Sequence, residues 1–66
     1  MPSIIQFISV HAGDSVMGDL CSELLNDEEF NKLQNDTSRL NYILDIKEMK
    51  PKRSEAVDMF IDEYSL

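Results

Sequence analysis

Val16-Met17-Gly18-Asp19-Leu20-Cys21-Ser22-Glu23-Leu24-Leu25 is the stretch that decides the fold of this chain. Its apolar residues, Val16, Met17, Leu20, Cys21, Leu24 and Leu25, recur at i, i+1, i+4, i+5, i+8 and i+9, which is one face of a 3.6-residue helix. Asp19, Ser22, Glu23 and Asn26 take the wet side. Upstream, Asp14 or Ser15 offers a side-chain oxygen to cap this helix, after His11-Ala12-Gly13 has closed the preceding segment.

Working outward, Ser3 followed three residues later by Gln6 is a capping-box pattern, and Ile4, Ile5, Phe7 and Ile8 cluster on one helical face. The β-branched residues also suit a strand, but the chain has no second strand-like run to pair with one, and a lone strand leaves its backbone unsatisfied. Downstream, Asp27-Glu28-Glu29 sets three carboxylates at a helix N-terminus, where unpaired N–H groups favour negative charge. A short third helix is expected, with Phe30 and Leu33 on its apolar face and Glu28 pairing with Lys32 at i, i+4. Asn35-Asp36-Thr37-Ser38 then breaks the pattern with turn and cap residues, and Leu40, Ile43 and Leu44 open a fourth helix. Pro51 disfavours helical geometry in the residue before it, so that helix ends by Lys50. Ser54 is expected to cap the last helix, whose Ala56, Val57, Phe60, Ile61 and Tyr64 face inward, opposite Glu55, Asp58 and Asp62. The expectation is a single all-α domain over residues 1–66, a bundle of four to five short helices with no internal repeat.

Asp27-x-x-Phe30, Leu40-x-x-Ile43-Leu44 and Phe60-x-x-x-Tyr64 resemble the YozE-type SAM-like family of small bacterial proteins. The resemblance runs from the Ser3 helix through Asp14-Ser15 and Leu20-Cys21 to Tyr64. The chain departs from the family pattern at Asn31, where members usually carry Pro, at Ile43, where they carry an aromatic, and near Ile61, where they carry Trp. What the resemblance implies is a compact bundle similar to a sterile alpha motif domain, a fold without a settled biochemical activity.

Size restricts function. Ordering 66 residues costs about 100 kcal/mol, at roughly 1.5 kcal/mol each, and apolar burial must offset nearly all of it. Little apolar surface then remains to wall a ligand site of about 300 Å³ or more, so no small-molecule substrate and no cofactor are expected. One cysteine, Cys21, permits no internal disulfide, and with a single histidine no structural zinc site is expected either. Cys21 reads as a buried small hydrophobe, and His11 as a helix-end or surface residue. No segment has the character of a signal peptide or of a membrane span, so a cytoplasmic protein with no membrane role is expected.

Charge is left as the carrier of function. The net charge is −7, distributed unevenly: residues 1–46 hold 8 acids and 2 bases, residues 47–53 hold 1 and 4, and residues 54–66 hold 4 and none. Asp19, Glu23, Glu55, Asp58 and Asp62 form a candidate acidic face, either a plain solvated surface or one that meets a basic partner, including as a mimic of nucleic acid. Lys47, Lys50, Lys52 and Arg53 form a candidate basic docking patch for an acidic protein or for phosphates, unless they only complement a helix C-terminus. Tyr42, Met49 and Met59 lie off the inward stripes and either edge the core or mark a contact surface. A non-enzymatic module that binds a protein, or a second copy of itself, through charged helix faces is the expectation, with nucleic acid as the alternative partner.

Overall fold

Residues 3–66 are described by a computed structural model. Among them are five α-helices and no strand: α1 (Ile4–His11), α2 (Gly18–Leu25), α3 (Glu28–Asn31), α4 (Asp36–Met49) and α5 (Ser54–Ser65), with a 3-10 turn at Pro51–Arg53 joining the last two. The Cα radius of gyration is 10.6 Å, close to the roughly 11 Å of a compact chain this long.

Local chemistry accounts for most helix starts. Ser3 accepts from the Gln6 amide while the Gln6 side chain accepts from the Ser3 amide at 3.2 Å, completing the expected capping box on α1. Asp27 Oδ1 accepts from the Glu29 and Phe30 amides at 3.0 and 3.3 Å, and Asn35 Oδ1 from the Ser38 amide at 2.8 Å, starting α3 and α4. The α4 end at Met49, with Lys50 beyond it and Pro51 next, follows from the proline.

Two expected caps are not made. Asp14 turns its carboxylate to His11, with Nδ1 and Oδ2 2.6 Å apart, and α2 begins only at Gly18 after a turn over residues 15–17. Ser54 already has helical backbone angles (φ −54°, ψ −45°), whereas a capping residue needs an extended backbone; the 3-10 turn runs directly into α5 in place of a side-chain cap. The Glu28–Lys32 pair is likewise absent: α3 ends at Asn31, and Lys32 Nζ lies instead 3.9 Å from Glu29.

The inward faces meet in one core: Ile4, Phe7, Ile8, Met17, Leu20, Cys21, Leu24, Phe30, Ile43, Ile46, Ala56, Val57 and Phe60. Phe7 is its aromatic hinge point, edge-on to Phe60 at 4.9 Å and to Tyr64 at 5.4 Å, which ties α1 to α5. Tyr42 and Met59 edge the core, whereas Met49 is 69% exposed. Val16 and Leu44 were expected inside but are 37% and 42% exposed. Val16 falls in the turn before α2, and Leu44 lies about 200° around α4 from Ile46 at about 100° per residue.

A Cβ on Gly18 would lie 3.0 Å from the Ala12 carbonyl oxygen and 3.5 Å from Gly13 C, both backbone atoms that cannot swing away. A Cβ on Gly13 would meet nothing within 4 Å. Gly18→Ala is therefore expected to lower the melting temperature, even against the roughly 1 kcal/mol of helix propensity that alanine adds. Gly13→Ala is expected to leave it unchanged or raise stability by about 0.4–1 kcal/mol, which thermal circular dichroism would resolve. Burial pushes the Cys21 thiol up to about 11, with Asp14 adding to the effect. Ellman's reagent at pH 8 should leave the native protein unmodified and titrate one thiol after denaturation.

Candidate functional site

The joint between α4 and α5 collects all four bases of the candidate patch, but three of them are already matched. Lys47 Nζ donates to Asp58 Oδ1 at 2.6 Å, and Lys50 Nζ to Glu23 Oε1 at 2.9 Å. Arg53 Nη2 sits 2.9 Å from Glu23 Oε2, an ion pair outside hydrogen-bond geometry against an oxygen hidden from solvent. The Lys50 hydrogen bond, aided by the charges of Arg53 and Lys50, holds the Glu23 carboxyl below the usual range in spite of partial burial. Among the described residues, Lys52 is the one Lys or Arg outside an ion pair.

This regrouping divides the candidate acidic face. Glu23 and Asp58 belong electrostatically to the basic joint, where they bring α2 to the turn and α4 to α5. Asp19, Glu55 and Asp62 are exposed and without an ion pair, as the spacing predicts. Sequence reasoning passed over Asp45 and Glu48, which are equally exposed and unpaired on the outer side of α4. Their i, i+3 spacing, with Asn41 one turn before Asp45, is the signal that places them on one face.

A second polar corner is formed by residues 15 positions apart. Asp27 uses one carboxylate oxygen to cap α3 and the other to accept the Tyr42 hydroxyl, and the Tyr42 ring meets Phe30 edge-on at 5.5 Å. The tyrosine bond, followed by the two amide bonds, holds the Asp27 carboxyl low in spite of partial burial. The same bond pushes the Tyr42 phenol up to about 12. At the other end, Asp36 pairs with Arg39 at 2.8 Å and accepts the Ile4 amide at 3.4 Å, and the second Arg39 amino group donates to the Leu33 carbonyl at 3.0 Å.

An open surface depression of about 500 Å³ is bordered by Lys50, Pro51, Lys52 and Arg53. Among the described residues no group of three or more His, Cys, Asp or Glu is placed to hold a metal ion, and no helix is long and apolar enough to cross a membrane. No family model, curated protein or solved structure matches the chain.

The polar corners set a pH profile. Glu23 and Asp27 have folded-state values below their ordinary 4.5 and 3.8, so their stabilisation is present above those values and is lost as pH falls through the lower folded ones. Tyr42 is raised from 10.0 to about 12, so its contribution is complete below pH 10 and is lost towards pH 12. Urea midpoints are expected to fall at both extremes, and Tyr42→Phe should reduce the alkaline fall and cost about 1 kcal/mol at pH 7. An alkaline limb unchanged by Tyr42→Phe would contradict this assignment.

Proposed function

We propose that this chain is a non-enzymatic interaction module whose acidic outer surface docks on a basic protein surface. One observation carries the reading: five of the six Lys and Arg side chains are engaged in ion pairs, while Asp19, Glu28, Asp45, Glu48, Glu55, Asp62 and Glu63 have none. Seven exposed, unmatched carboxylates on so small a body keep a negative field outside it, which speeds encounter with a cationic partner and repels polyanions. The same field weighs against nucleic acid binding through Lys47, Lys50, Lys52 and Arg53, because only Lys52 remains to neutralise a phosphate without first breaking an internal pair. A nucleic-acid-binding protein, met by mimicry, falls within the same class of partner.

Kinship with the YozE-type SAM-like family is part of the proposal; what supports it is that Phe30, Ile43 and Phe60, from three of the resembling blocks, are buried together in a helical bundle. A reducing, cytoplasmic setting suits a lone thiol kept inside the core.

Immobilised protein exposed to polylysine, double-stranded DNA and single-stranded RNA separates the readings. Polylysine should be retained at low salt and released steeply as salt rises, with neither nucleic acid retained. Retention of DNA that Lys52→Glu abolishes would overturn the acidic-module reading in favour of the basic patch.

A further inference from the structure

We propose that the outward face of α4 is the docking surface of this module, and that its occupant is a cationic amphipathic helix of another protein; the inference rests on the acidic-module reading. Apolar residues lie on both sides of α4. Ile43 and Ile46 enter the core, yet Leu44, about 200° around the helix from Ile46, and Met49, about 60° from Ile46 at the last residue of the helix, are 42% and 69% exposed. By contrast, the exposed positions within α2 and α5 are polar or charged. Over residues 41–49 the outward arc runs Leu44, Glu48, Asn41, Asp45, Met49, at about 100° per residue, with Lys47, paired to Asp58, beyond the Leu44 edge, so two apolar edges flank an acidic crest.

That arrangement specifies its complement. Asp45 and Glu48 have no ion pair among the described residues, so a partner presenting Lys or Arg along its centre line meets unneutralised carboxylates. Apolar residues beside those cations would cover Leu44 and Met49, and a helix laid along the face meets both requirements at i, i+3 and i+4 spacing. A second copy of the chain does not supply this: Lys52 is its one uncommitted Lys or Arg among the described residues, and the exposed charges of its α2 and α5 are acidic. Self-docking would set carboxylate against carboxylate, which disfavours it.

The test uses the full chain, 15N-labelled, titrated with a Leu-Lys peptide of about 18 residues, long enough to hold a helix, and with a Lys-only peptide of the same charge. The amphipathic peptide is expected to bind about tenfold more tightly, with shifts concentrated over residues 41–49. Leu44→Ser with Met49→Ser should erase that margin while leaving the Lys-only affinity unchanged and lowering the melting temperature by only a few degrees. Asp45→Lys with Glu48→Lys should weaken the amphipathic peptide about tenfold, and Glu55→Lys with Asp62→Lys on α5 much less. Equal affinity for the two peptides, a margin that survives the serine pair, or an equal loss from the α5 pair would overturn the α4 site while leaving a diffuse acidic module standing. If neither peptide binds, both readings fall.

Discussion

Among the described residues, thirteen buried apolar side chains hold the helices together, and every other feature is arranged around that constraint. Phe30 and Phe60 are the largest fully buried side chains, and Phe7 links the first helix to the last through edge-on contacts to Phe60 and Tyr64. With all thirteen committed to a single cluster, the one depression noted is open and bordered by the 3-10 turn and Lys50.

Much of the fold was legible because periodicity and capping are local. The Ser3–Gln6 box, the Asp27 and Asn35 caps and the stop before Pro51 each need only a few residues of context, and each is formed. Where reading failed, a neighbour outside that context had claimed the group. His11 takes the Asp14 carboxylate, the 3-10 turn makes a cap at Ser54 redundant, and the early end of α3 leaves Lys32 nearer Glu29 than Glu28. Leu44 was assigned inward because Leu40, Ile43 and Leu44 alone define a stripe; Ile46 shifts that stripe and turns Leu44 out.

The candidate site was legible as two lists of charges but not as a pairing. Residue types and helix positions mark Glu23 and Asp58 as acids and Lys47, Lys50 and Arg53 as bases, yet separations of 11, 27 and 30 positions carry no spacing rule that joins them. Only tertiary packing brings them within 3 Å of each other. Their removal from the free surface changes the functional reading from two opposed patches to one excess of negative charge.

Most packing in this bundle joins elements that are close in sequence: α1 lies against α2, and α4 against α5 through the 3-10 turn. Such a topology asks for little loop closure before contacts begin to repay it, and chains of this kind fold in microseconds to milliseconds. Two helical hairpins can therefore form quickly from their own residues. The ties that span the middle of the chain, Asp27 to Tyr42 and Glu23 to Lys50 and Arg53, then act as the registration marks that align one hairpin on the other.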